Sequence, residues 1–216
     1  MIRSLISNDA KLTKALVRIL NLELITENAL GSFYKKGGWI LVLGQESEKI
    51  REFLITEFAI DSAYYIRLGR SIDTEHEIGD VILPNTFFVC DDTICKKEVT
   101  EQNCNDFIKN PQFLEIFDEQ KDYYIEDFGL SIGGIAVSKT PKTKENIDAS
   151  LMMAYAGDIY FTDDISHLIP LTNHDTVGTV ILGSIIDGKK PSGLSDPYAR
   201  AASNITTTIK LLEKEN

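Results

Sequence analysis

Two carboxylates, Asp164 and Asp187, stand where acid–base work could be done. Asp187 closes an apolar run, Val177 to Ile186, and Asp163-Asp164 opens the segment before it. A run without alternation reads as a strand buried on both faces, as in parallel sheets. Such sheets bind ligands just past the carboxyl ends of their strands, which is where Asp187 falls. Two acids brought to one sheet edge from two elements form an active-site pattern. A plainer reading stands beside it: Asp187-Gly188 as a turn and Asp163-Asp164 as a helix start.

Other reactive residues are less organised. Cys90, Cys95 and Cys104 lack a zinc spacing, and His76, His167 and His174 are scattered, so no metal is expected. His174-Asp175 resembles half of a catalytic pair but reads first as a surface turn. Ser166-His167 reads as structural, with His167 within possible reach of a pocket. Arg67 and Arg70 flank Gly69, and Lys189-Lys190 follow Asp187. These cations are the candidates for an anion site, although Arg67 also reads as an edge-strand residue and the lysines as solvated.

The chain has 216 residues and a net charge of -11, with no basic block, which argues against nucleic acid and anionic membrane as partners. No apolar run is long enough to cross a bilayer. The start, MIRSLISNDAK, is too short and polar for a secretory signal. These features lead us to expect a cytoplasmic, reduced protein without a cofactor.

The elements that must position the acids alternate between strand and helix. Ile2–Ser7 is expected to be a strand, and Asn8 or Asp9 caps a helix with Leu12, Ala15, Leu16, Ile19 and Leu20 on one face. Residues 21–31 form a connection with some extended structure. Gly37-Gly38 marks a hairpin between Ser32–Lys36 and Trp39–Leu43. Ile50, Phe53, Leu54 and Phe58 mark a helix. Ala63–Leu68 is a strand ending at Gly69, and Asp73–Gly79 a polar turn. Val81–Leu83 and Phe87–Cys90 are extended. Phe107, Phe113, Leu114 and Phe117 lie on short helices within the irregular stretch 91–127. Leu130–Ser138 is a strand in which Gly133-Gly134 suggests a bulge. Lys139–Asn146 is a loop, Ile147–Tyr155 a helix and Asp158–Phe161 a brief strand. Residues 163–174 form a helix that Pro170 kinks or ends. Gly188–Gly193 is a mobile loop. Ser195-Asp196-Pro197 starts a last helix, buried through Ala202, Ile205, Ile209 and Leu212. One α/β domain spanning 1–216 follows.

This order, with the residues at several strand ends, resembles the nucleoside phosphorylase superfamily, and by length its methylthioadenosine/S-adenosylhomocysteine nucleosidases. Gly69 followed by Gly79-Asp80 and Val81 is similar to the family's Gly-rich stretch, Gly-Asp pair and strand. Asp163-Asp164 occupies the Met-Glu position, and Ile185-Ile186-Asp187 the Ile-Ser-Asp position, without a gap between them. The resemblance implies a three-layer αβα fold with a central mixed, partly barrel-like sheet. It implies a small-molecule nucleoside as ligand and a homodimer. Asp164 takes the role of holding the ribose hydroxyls, one methylene shorter than the family's glutamate, with Asp163 beside it. Asp187 takes the role of protonating the departing purine. Gly69, Arg70 and Ser138 fall on substrate-binding positions.

The departures are specific. The Gly-rich stretch is reduced to Leu68-Gly69-Arg70-Ser71-Ile72-Asp73. Leu12 stands nearest the water-activating glutamate, leaving Asp9 as the substitute base. The loop that stacks an aromatic on the base is replaced by Val137-Ser138-Lys139-Thr140-Pro141, and the serine of Ile-Ser-Asp has become Ile186. Three readings are thereby open: an active nucleosidase, a phosphate-dependent phosphorylase, and an impaired member that binds a nucleoside or a protein.

Overall fold

The computed structural model describes residues 1–71, 76–90, 99–101, 108, 110–118, 123–133, 135–139, 157–161, 165, 167–168, 171–172 and 177–213. Among the described residues, thirteen strands join in one mixed sheet, with α-helices on both faces, as expected for the α/β class.

The amino-terminal half forms where local signals are strong. Strand β1 (Arg3–Ser7) leads into α1 (Ala10–Leu20). Asp9 caps this helix, its Oδ1 accepting from the Leu12 amide at 2.7 Å. Leu12, Ala15 and Leu16 are buried, but Ile19 is 41% exposed, so the buried face is shorter than its spacing suggested. The expected connection at 21–31 contains an edge strand, β2 (Glu23–Asn28), exposed throughout. Strands β3 (Gly31–Lys36) and β4 (Trp39–Leu43) form the hairpin expected at Gly37-Gly38, and Gly37 has a φ of 56°. Helix α2 (Ser47–Phe58) follows.

Strand β5 (Ser62–Ser71) is the axis of the sheet and is longer than predicted. Gly69 does not end it, because β12 (Gly157–Phe161) pairs antiparallel with Gly69–Ser71. Below that point the same side of β5 is taken by β1, which reaches Ile66. Strand β13 (Gly178–Asp187) runs parallel along the other side. Its interior residues are buried, as an apolar run without alternation requires.

Two branches leave β5. One passes through β13 to β6 (Val81–Leu83), β10 (Leu130–Ile132) and β9 (Tyr123–Ile125). The other passes through β12 to β11 (Ile135–Lys139), β7 (Thr86–Cys90) and β8 (Val99–Glu101). Leu130–Ser138 is therefore two strands, not one. They separate at Gly133, whose φ of 87° favours glycine. The pairing Leu130↔Val81 continues in the same register as Ile135↔Thr86, so β6–β7 and β10–β11 break together. Among the described residues, the two branches meet only at these breaks, and the hydrogen-bonded ladder does not close into a barrel.

Helices α1, α3 (Pro111–Asp118) and α4 (Pro197–Leu212) pack on one face of the sheet. The other face is covered by α2 with Ile165, Leu168 and Leu171. Asp196 caps α4 as expected, accepting from the amides of Tyr198 and Ala199. Its buried residues include Ala202, Ile205, Ile209 and Leu212. Phe113 is buried on α3. The helices expected at 147–155 and 163–174, together with Phe107, Cys95, Cys104 and His174-Asp175, lie wholly or largely outside the described residues. Among the described residues, no three His, Cys, Asp or Glu residues cluster as for a metal, and no helix is long and apolar enough to cross a membrane.

Two buried tyrosines on β5 tie stability to alkaline pH. Burial raises the Tyr65 phenol, and burial followed by the charge of Glu213 raises that of Tyr64. A raised folded pKa means that the unfolded chain ionises first. The stability is therefore full below pH about 10 and falls above it. Urea unfolding at stepped pH should give a midpoint that holds to mildly alkaline pH and then drops. A midpoint unchanged at strongly alkaline pH would contradict this.

Candidate functional site at the carboxyl edge of the sheet

Strands β1, β5 and β13 are mutually parallel, so Ser7, Ser71 and Asp187 all end at the same edge. Beyond the end of β1, Asn8 and Asp9 continue the chain. Strand β5 extends past β1, because Ser7 is opposite Ile66. At the top of the β5–β13 pair, Gly69 faces Ile185 and Arg70 faces Asp187, with the register slipping by one at Ile186. A half-buried cation position and an exposed carboxylate position thus adjoin at the strand ends.

Each predicted residue has a definite place or lies outside the description. Gly69 is buried within the sheet, between β13 and Phe161 of β12, rather than in an open Gly-rich turn. Asp9 is half-exposed and held by its cap. Its amide donates to Ser7 Oγ at 3.2 Å, and its carbonyl accepts from Thr13 Oγ1 at 2.8 Å. Leu12, nearest in sequence position to the family's glutamate, is wholly buried. Ser138 lies on β11 opposite Val89. Asp163 and Asp164 lie outside the described residues. His167 is exposed.

Arg67 is not an edge residue. It is 2% exposed, and its guanidinium donates to the carbonyls of Ile6 (3.2 Å) and Ile66 (2.9 Å) and to Ser47 Oγ (3.1 Å). A buried charge needs such partners, and they tie this one to the junction of β1, β5 and α2. It is therefore poorly placed as an anion ligand. Lys189 is not in a free loop either: its amide donates to the His76 carbonyl and its ammonium lies 3.7 Å from Glu77 Oε1.

The turn His76–Asp80 beside Asp187 has a dense polar centre that sequence reasoning did not assign. Asp80 is fully buried. Its Oδ2 accepts from the Glu77 amide (2.8 Å) and Tyr124 hydroxyl (2.9 Å), and its Oδ1 from Arg200 Nη2 (3.3 Å). Arg200 Nη2 also donates to Glu77 Oε2 at 3.1 Å. Burial, then the hydrogen bond to Asp80, raises the Tyr124 phenol. The Gly79-Asp80 pair was visible as a turn before a strand. Tyr124 and Arg200 carried no local signal.

Solved structures with this architecture span nearly the whole chain. A putative methylthioadenosine nucleosidase from Weissella paramesenteroides matches with a TM-score of 0.61 at 16% identity, over 98% of this chain and 97% of its own. The chain has the nucleosidase fold. A Helicobacter pylori methylthioadenosine/S-adenosylhomocysteine nucleosidase mutant with 5′-methylthioadenosine in its active site matches at 0.65 and 10% identity, covering 97% and 98%. The futalosine hydrolase of the same organism matches at 0.63 and 12% identity, covering 98% and 96%. No family model and no curated protein matches the chain. The expected nucleoside phosphorylase-like architecture is thus present at very low identity.

Proposed function

We propose that this chain hydrolyses the N-glycosidic bond of a purine nucleoside of the methylthioadenosine or adenosylhomocysteine type. One observation carries the reading: in a nucleosidase fold, the buried parallel strand β13 delivers a carboxylate, Asp187, to the carboxyl edge where α/β sheets take ligands. Asp187 donates a proton to the base as the bond from the anomeric carbon breaks and its electron pair leaves with the purine. Water adds to the anomeric carbon and gives up a proton to Asp9. Asp164, with Asp163 beside it, holds the ribose diol by charge-assisted hydrogen bonds. Gly69, Arg70 and Ser138 border the ligand. Asp187 is exposed in the single chain, so the ligand, or a second copy in a homodimer, must exclude water for it to hold its proton.

The test is release of free base from methylthioadenosine, adenosylhomocysteine, inosine and uridine. Turnover without phosphate separates this reading from a phosphorylase, which the internal bonding of Arg67 already disfavours.

Asp9→Asn separates two uses of Asp9. Asparagine is as good an N-cap as aspartate, so α1 should keep its stability. It cannot accept the proton from water, so base release should fall by roughly a hundredfold, as for loss of a general base. Unchanged release would leave Asp9 as a cap alone.

A second reading, binding of a nucleoside without turnover, draws on the capping role of Asp9 and the exposure of Asp187. It predicts a thermal shift with a nucleoside, since a ligand of the folded state raises apparent stability, together with no base release.

A further inference from the structure

We propose that Asp80 is a positioning residue for Asp187, holding the end of β13 through the turn His76–Asp80; this rests on the nucleosidase reading above. The turn grips β13 on both sides of Asp187. Before it, the Gly79 amide donates to the Ile185 carbonyl at 2.7 Å, and the Ile185 amide to the Asp80 carbonyl at 2.9 Å. After it, the Ile78 amide donates to the Lys189 carbonyl at 2.8 Å, and the Lys189 amide to the His76 carbonyl at 3.3 Å. On its other side, β13 is fixed by β5 up to the Arg70–Asp187 pair. The backbone at Asp187 is therefore set from two sides although its side chain is exposed.

Asp80 decides the shape of this grip. Its amide donates to the Glu77 carbonyl at 3.0 Å while its Oδ2 accepts from the Glu77 amide, so residue 80 closes the turn twice. The carboxylate then fastens the closed turn to two distant elements, β9 through Tyr124 and α4 through Arg200. Asn204 of α4 adds a bond from Nδ2 to the Gly79 carbonyl at 3.0 Å. The fit leaves no slack. A Cβ on Gly79, whose φ is +98°, would lie 2.5 Å from Arg200 Cγ, and one on Gly129 would lie 2.4 Å from Asp80 Oδ1. A carboxylate buried from solvent is retained only where its acceptors are met, and here three donors converge on it. Lys189 and Arg200 both reach Glu77, so the charge pattern holds the turn against the residues that follow Asp187.

A general acid must stand within a fraction of an ångström of its productive geometry, and residues behind it set that placement. Loosening the turn should therefore reduce turnover without weakening nucleoside binding. Tyr124→Phe removes one donor and leaves the packing intact. Asp80→Asn removes the charge at nearly constant volume. Hydrogen exchange in the full chain should accelerate about tenfold at the Ile185 and Lys189 amides, while Leu41 in β4 stays protected. In base release, kcat should fall about tenfold with KM unchanged.

Exchange at Ile185 and Lys189 unchanged in both variants would overturn the clamp. Faster exchange with kcat unchanged would overturn the positioning role. A wild-type chain that releases no base from any nucleoside fails the functional reading, while the exchange arm still decides the clamp. If Asp80→Asn does not fold, Tyr124→Phe decides alone.

Discussion

Asp187→Asn should cut base release by the folded protein at least about a hundredfold. Asparagine matches aspartate in size, and the side chain is exposed at the end of β13, so neither packing nor the ladder to β5 should change. Asparagine cannot deliver a proton to the departing purine. Loss of a positioned general acid typically costs about two to four orders of magnitude in rate. The expected profile is a kcat lower by a factor of at least about a hundred, with KM little altered, because the lost interaction belongs to bond breaking. Thermal unfolding should coincide with that of the wild type. A variant that unfolds at the same temperature and releases base at the wild-type rate would remove Asp187 from the mechanism.

The largest expected loss of stability lies at the opposite edge of the sheet. Glu213, just past α4, has a side chain 2% exposed. It accepts from Tyr64 Oη at 2.5 Å and Ser62 Oγ at 3.1 Å, and it pairs with Arg3. One carboxylate thus joins β1, β5 and the end of the last helix. Glu213→Ala leaves the Tyr64 hydroxyl buried without this acceptor and Arg3 without its counter-ion. Removing one partner of a buried pair costs roughly 3–5 kcal/mol; with Arg3 a quarter exposed, we expect about 3 kcal/mol. For a domain of this size that lowers Tm by roughly 6–12 °C. Glu213→Gln keeps an acceptor for Tyr64 and should lose less. Calorimetry of the two variants checks both the size and the order, and an alanine variant as stable as wild type would contradict the account.

Where structure follows from neighbours in the chain, it was legible. The Gly37-Gly38 hairpin, the Asp9 and Asp196 caps, and the buried run of β13 each depend on residues within one turn or one strand. Where pairing partners come from afar, it was not. Gly69 reads as a strand end until β12, distant in the chain, pairs with it. The run 130–138 reads as one strand because the exchange of neighbours at Gly133 leaves only a glycine as its trace. Arg67 reads as an edge residue because its internal acceptors are two main-chain carbonyls and a serine hydroxyl, which no pattern announces.

The site divides in the same way. The position of Asp187 at a strand end follows from the apolar run before it. The turn that grips that end needs Glu77, Asp80, Tyr124 and Arg200, gathered from three separated segments, and only Gly79-Asp80 left a mark in the sequence. Composition also could not reveal how exposed Asp187 is, since that depends on what covers the sheet edge.

The central claim is tested most directly by incubating the wild-type protein and Asp187→Asn with methylthioadenosine in phosphate-free buffer and following free adenine by chromatography. The account predicts adenine from the wild type, matched by an equal amount of free methylthioribose, and at least about a hundredfold slower release from the variant. No adenine from the wild type, or equal release by both proteins, would contradict it.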